Sequence, residues 1–224
     1  MNTIQRNIKR IKSDVAKEAL QVGRKAGSIS ILAVSKKQPI NAIEEAWDAG
    51  ITDFGENYLQ EALPKMQALK HLPITWHFIG KIQSNKTRLI AENFQWVHTI
   101  DRLKIARRLD AQTPKGKLLQ VCLQVNIDDD PNKAGVTSHE AKGFLCELRD
   151  LKRIRVRGMM VILHKNAIPM ESYRRTASLF ENAFEEDQNN WDTLSMGMTN
   201  DYRAAVKNGA SLLRIGTGIF GKRL

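Results

Sequence analysis

Short β-branched apolar runs alternate along the whole chain with longer runs of helical period, and this alternation restricts the fold more than any other feature. The short runs lie at residues 30–35, 51–54, 74–79, 95–100, 118–127, 154–162, 193–196 and 211–215. Segments with apolar residues at three- and four-residue spacing follow at 40–49, 58–69, 85–92, 103–111, 138–150, 170–187 and 201–208. A parallel strand needs a crossover to return to the same edge of its sheet, and a helix is the usual crossover. Eight strand–helix units of about 25 residues predict an α/β chain closed into one (β/α)8 TIM barrel, with an open doubly wound sheet as the alternative. One extra helix leads the chain. Ile4, Ile8, Ile11 and Val15 share a face, with Arg6, Lys9, Arg10 and Lys12 between them. That face is expected to pack on the barrel, with Gly27 as the breaker. Asp14, Glu18 and the lack of a Ser-rich stretch argue against a transit peptide. No internal repeat or linker is evident, so residues 1–224 are expected to form a single domain.

Composition narrows the function classes. At 224 residues the chain can bury a core without disulfides or a structural metal. No run approaches ~18 apolar residues, so no spanning helix is expected. Cys122 and Cys146 cannot make a disulfide framework or a zinc site alone, and a reducing cytoplasm is the expected compartment. Lys and Arg total 35 against 24 acidic residues, a net charge of +11 that attracts phosphates. Neither a zinc-finger spacing nor an RNP1-type aromatic motif accompanies it, so nucleic acid is not the expected partner. The five histidines, at 71, 77, 98, 139 and 164, contain no zincin pair, and no Gly-x-Ser-x-Gly elbow occurs.

A barrel places function at the C-terminal ends of its strands. Those positions are Lys36, Asn57, His77 with Gly80, Thr99, Asn126, Met160, Ser195, and Arg214 with Thr217. In the fifth run Leu119, Val121, Leu123, Val125 and Ile127 share one face. Gln120, Cys122, Gln124 and Asn126 share the other, a polar inner face that calls for a ligand. Lys36 follows an apolar run, and desolvation at a barrel mouth makes an amine available as a nucleophile toward an aldehyde. Lys37 faces the other way, as a solvated neighbour. Ser195-Met196-Gly197 and Gly216-Thr217-Gly218 are hydroxyl-bearing turns after strands seven and eight, where barrels often hold phosphate. An aldehyde-reactive amine beside a phosphate cradle suggests pyridoxal 5′-phosphate, with Arg214 placed to donate to the pyridine nitrogen. Gly216 to Gly221 also matches G-x-G-x-x-G, but only three residues follow, too few for the helix and returning strand of a dinucleotide fold. His77, within Trp76-His77-Phe78, reads equally as a core residue or a site residue, and Cys122 as an inert buried thiol.

These residues sit within stretches that resemble the pyridoxal phosphate homeostasis family, whose fold is that of the alanine racemase N-terminal barrel. The matching stretches are LAVSK at 32–36, FGENYLQE at 54–61, WHFIGKIQSNK at 76–86, VHTID at 97–101, VN at 125–126, RGMM at 157–160, LSMGM at 194–198, RIGT at 214–217 and IFG at 219–221. The resemblance implies an internal aldimine on Lys36, phosphate contacts from Ser195, Gly216 and Thr217, and Arg214 near the pyridine nitrogen. Asn57 and His77 are implied as neighbours. It also implies a non-catalytic cytoplasmic monomer that stores the cofactor and delivers it to apo-enzymes. The alternative is a racemase or another weak pyridoxal-phosphate enzyme. Racemases of this resemblance take a second base, a tyrosine, from a separate β domain, and this chain is expected to lack one. Family members commonly read Ser-Lys-Thr-Lys-Pro after strand one, where this chain has Ser35-Lys36-Lys37-Gln38-Pro39. A proline common after strand six is Leu163 here.

Overall fold

Asn2 begins the first helix, α1 (Thr3–Gln21), by accepting the Gln5 N–H at 2.8 Å, while the Gln5 side chain accepts the Asn2 N–H. This reciprocal pair satisfies two of the donors that a helix start leaves open. The buried face is Ile8, Ile11, Val15 and Ala19, in agreement with the periodicity. The helix stops earlier than expected. Gly23, not Gly27, takes the left-handed conformation after it (φ 71°), and the Arg24 N–H closes back on Ala19 O at 2.9 Å. The structure, a computed structural model, describes residues 2–183 and 190–221.

Eight strands alternate with helices from there: β1 (Ser30–Val34), α2 (Ile40–Asp48), β2 (Asp53–Glu56), α3 (Leu59–Ala68), β3 (Thr75–Phe78), a 3₁₀ turn (Ser84–Lys86), α4 (Thr87–Asn93), β4 (Trp96–Ile100), α5 (Leu103–Gln112), β5 (Leu119–Val125), α6 (Ala141–Leu148), β6 (Ile154–Val161), α7 (Pro169–Asn182), β7 (Thr193–Ser195), α8 (Tyr202–Lys207), β8 (Leu212–Ile215) and the single turn α9 (Thr217–Phe220). The strands are parallel and in sequence order. β8 pairs back on β1, with Ser30 opposite Leu212 and Ala33 opposite Ile215, so the barrel is closed as the alternation predicts. The end of the helix expected at 170–187 lies outside the described residues.

β2 begins two residues later than expected. Ile51 is buried at the turn after α2, and pairing with β3 starts at Asp53 opposite Thr75. The shift moves Gly55 and Glu56 into the strand. Outside the barrel, Phe54, Trp76, Val97, Leu123 and Leu213 join the helix faces in one buried apolar layer. Leu32, Cys122, Met160 and Leu212 are buried apart from that layer. β5 has the two faces expected, but the upper part of its polar face is satisfied by the loop that follows. Gln124 Nε2 donates to Ala134 O (2.8 Å), and Asn126 Nδ2 donates to Asp130 O (2.8 Å). The polar face at Gln124 and Asn126 thus makes hydrogen bonds to this loop.

Candidate functional site

Lys36 stands just beyond the last residue of β1, and a buried polar cluster sets the turn that carries it. The Ser35 N–H donates to Gly55 O (3.0 Å), and the Ser35 hydroxyl donates to Glu56 Oε1 (2.7 Å). Lys65 Nζ, projecting from α3, donates to Ser35 O (2.8 Å), Glu56 Oε1 (2.9 Å) and Glu61 Oε1 (2.6 Å). Lys37 adopts a left-handed φ of 60° and directs its N–H at Glu61 Oε1. Glu56 is fully buried and Lys65 nearly so. Burial lifts the Glu56 carboxyl above its usual pKa, against the opposing Ser35 and Lys65 contacts. The cluster was not anticipated, although Glu61 and Lys65 at i, i+4 on one helix were its visible sign.

Across the closing seam, β8 supplies Arg214. Its Nη1 donates to Ser195 O (2.6 Å) and Ser195 Oγ (2.8 Å), and its Nη2 donates to Val161 O (2.7 Å). A guanidinium has five N–H groups. Three are committed here, leaving Nε–H and one on Nη2. Beyond β8, Gly216 and Thr217 turn into α9. The Thr217 and Thr199 hydroxyls lie 3.2 Å apart, and Thr199 Oγ1 accepts the Gly218 N–H (3.0 Å). Lys36, Lys165, Thr199, Arg214, Gly216 and Thr217 line one cavity of about 530 Å³.

The structure thus brings together Lys36, Arg214, Gly216 and Thr217. Asn57 lines a different cavity, of about 520 Å³, at the ends of β2 and β3 with Gln60, Lys81 and Gln83. Its Oδ1 is buried without a partner among the described residues. Gly80 is required there, because a Cβ would come within 2.0 Å of Asn57 O. Two expectations are corrected. His77 is 1% exposed and lies inside the barrel between Asp53 and His98, stacked on Trp96 at 5.4 Å, so it does not reach the mouth. Ser195 is fully buried, and its hydroxyl is engaged by Arg214 and His98 instead of facing the phosphate turns. Thr199, two residues beyond Gly197 in the same turn, lines the cavity and is a candidate the sequence alone does not single out. Burial pushes the Cys122 thiol up to about 12, which keeps it protonated and inert. Among the described residues no cluster of His, Cys, Asp or Glu suits a metal, and no helix is long and apolar enough to cross a membrane.

The family described as "Alanine racemase, N-terminal domain" matches residues 1–223. A Pseudomonas aeruginosa protein named pyridoxal phosphate homeostasis protein is 46% identical over all of this chain and 97% of its own length. One of the same name from Escherichia coli is 42% identical over all of this chain and 98% of its own length. Among solved structures, PipY of Synechococcus elongatus, described with pyridoxal phosphate bound, is 35% identical with a TM-score of 0.77, covering 92% of this chain and all of that one. Alanine racemase from Corynebacterium glutamicum shares the fold at 17% identity and a TM-score of 0.65, covering 97% of this chain and 60% of that one. With a family match over 223 residues and full-length relatives above 40% identity, this chain belongs to the pyridoxal phosphate homeostasis proteins, a family built on the alanine racemase N-terminal barrel.

Proposed function

We propose that the mouth cavity holds pyridoxal 5′-phosphate and that the protein stores this cofactor and delivers it to apo-enzymes. The convergence of Lys36, Arg214, Gly216 and Thr217 on one cavity carries the reading. The donor set fits the ligand. Lys36 supplies an amine, Thr199 and Thr217 supply hydroxyls for a phosphate beside the backbone of Gly216, and Arg214 retains two N–H donors for an aromatic nitrogen. When bound, pyridoxal phosphate supplies an aldehyde that condenses reversibly with amines and a ring that can act as an electron sink. Lys36 binds, Arg214 orients, and the Glu56–Lys65–Glu61 cluster keeps the Lys36 turn in place. The names of the full-length relatives and the bound ligand described for PipY support the same assignment.

Storage is favoured over catalysis by the protonation chemistry of the site. Arg214 is a donor that does not release its proton, so a ring nitrogen facing it stays unprotonated and the sink is weak. The tyrosines provide no second base at the cavity. Tyr173 is 1% exposed, and burial, with the charge of Asp201 adding to it, raises its pKa. Tyr202 donates to Asp14 of α1 (3.0 Å), and Tyr58 lines the cavity beside Asn57. Mixing the loaded protein with an apo-form of a pyridoxal-phosphate enzyme is expected to restore that enzyme's activity. Chiral analysis of amino acids incubated with the loaded protein alone is expected to show no turnover. Racemisation at about 1 s⁻¹ or faster would overturn the storage reading.

The phosphate assignment makes a separate prediction. Thr199→Ala and Thr217→Ala each remove a hydroxyl from a charged acceptor, worth about 1.5–3 kcal/mol, or roughly tenfold or more in affinity. Pyridoxal phosphate should bind correspondingly more weakly, and unphosphorylated pyridoxal should bind unchanged. Ser195→Ala, which acts through Arg214, should weaken both ligands alike. Equal weakening of both ligands by the threonine variants would place the phosphate elsewhere.

A further inference from the structure

A continuous line of hydrogen bonds runs through the barrel from its N-terminal face to the mouth. Asp53 Oδ1 lies 3.0 Å from His77 Nε2, His77 Nδ1 lies 2.9 Å from His98 Nε2, and His98 Nδ1 lies 2.9 Å from Ser195 Oγ. Ser195 Oγ accepts from Arg214 at 2.8 Å. His77, His98, Ser195 and Arg214 are all at most 5% exposed, while Asp53 opens onto a cavity of about 350 Å³ that Lys12, Ser30 and Thr52 also line. The five residues come from β2, β3, β4, β7 and β8. Nothing in the proposed storage function assigns a role to the first three.

Hydrogen-bond chemistry gives the line one direction. Arg214 can only donate, so Ser195 must accept from it and pass its own proton to His98 Nδ1. His98 is then neutral with its proton on Nε2, which donates to His77 Nδ1. His77 is neutral in the same tautomer and donates to Asp53, which must be ionised. The reverse direction needs a protonated Asp53 and leaves the Ser195 proton without an acceptor. Burial, then the neighbouring His77 and Arg214, hold His98 well below its ordinary pKa, and burial does the same to a lesser degree for His77, as two neutral rings require. Burial alone would raise Asp53, but its bonds from His77 and Thr52 prevail and leave the carboxyl below its usual value.

We propose that Asp53, His77 and His98 are positioning residues for the mouth: the carboxylate at the far end of the barrel fixes both imidazole tautomers, and through the Ser195 hydroxyl it fixes the Arg214 guanidinium against the ligand. The part concerning ligand affinity rests on the proposed cofactor site; the tautomer part does not.

Two-bond proton–nitrogen NMR of the ligand-free protein at neutral pH tests the tautomers, with His77→Gln and His98→Gln used only to assign the signals. Both rings should be neutral with the proton on Nε2. Asp53→Leu should give His77 a mixture of tautomers and lower the affinity for pyridoxal phosphate about tenfold. Asp53→Asn, whose amide oxygen can accept the same bond, should retain most of both. The losses from Asp53→Leu and Ser195→Ala should overlap in a double-mutant cycle, whereas those from Asp53→Leu and Thr217→Ala should add. A proton on Nδ1 of either ring, an Asp53→Leu variant with unchanged tautomers and affinity, or additive losses with Ser195→Ala would each overturn the proposal. If Asp53→Leu does not fold, Asp53→Ala and the tautomers of the unaltered protein decide it. A wild-type protein that binds no pyridoxal phosphate would refute the cofactor site, and the NMR result alone would then judge the relay.

Discussion

Lys36→Ala is expected to abolish covalent capture of pyridoxal phosphate and the visible absorbance that accompanies it, while leaving the barrel folded. Lys36 is partly exposed at the end of β1, so truncating it leaves no core void. It shares the cavity with Lys165, and Lys37 is its neighbour in sequence. Neither substitutes for it in the proposed arrangement. Lys37 is exposed, and its backbone is turned onto Glu61, while Lys165 belongs to the loop after β6. Borohydride reduction of the loaded wild-type protein should place the pyridoxyl group on Lys36, read by peptide mapping. Phosphate and ring contacts should leave the variant with weak, non-covalent binding. An adduct on Lys37 or Lys165 with Lys36 unmodified would sink the assignment.

Lys65→Met should be among the most destabilising single substitutions near the mouth. It leaves the Glu56 carboxylate, which has no exposure, without its cation, and breaking one side of a buried ion pair typically costs about 3–5 kcal/mol. Glu56→Gln combined with Lys65→Met should recover much of the loss, because no charge is then left buried. The pH dependence has a defined sign. Burial already holds the folded-state pKa of Glu56 above the usual glutamate value, and loss of Lys65 removes an influence that lowers it. A raised acid contributes stability that is present below the unfolded pKa and is lost as pH rises through the folded one. The deficit of Lys65→Met should therefore be largest at neutral pH and shrink below roughly pH 4.5. Urea denaturation of wild type, single and double variants across pH checks this. A single-variant loss under about 1 kcal/mol, or a double variant no better than the single, would contradict it.

The barrel was legible because two hydrophobic periods alternate without interruption, and eight repetitions leave few topologies open. Boundaries were less so. Ile51 is as apolar as a strand residue yet belongs to the turn before β2, because pairing, not hydrophobicity, begins at Asp53. At the mouth, Lys36, Arg214, Gly216 and Thr217 could be placed because strand ends are countable. Ser195 could not, because alternation along a strand does not reveal that a neighbouring arginine and a histidine 97 positions away claim its hydroxyl. Asp53, His77 and His98 are hidden for the same reason. Each lies in a different strand, and only closure of the barrel lines them up.

That closure joins the first strand to the last, so the amine and the hydroxyl turns of the proposed site come from opposite ends of the strand order. A ribosome must therefore extrude the chain through β8 before the pocket exists. A nascent polypeptide stalled before residue 212 holds Lys36 but not the strand that pairs with β1 and completes the seam. In the proposed arrangement cofactor capture follows closure of the sheet, and coloured protein reports chains whose β8 has paired with β1.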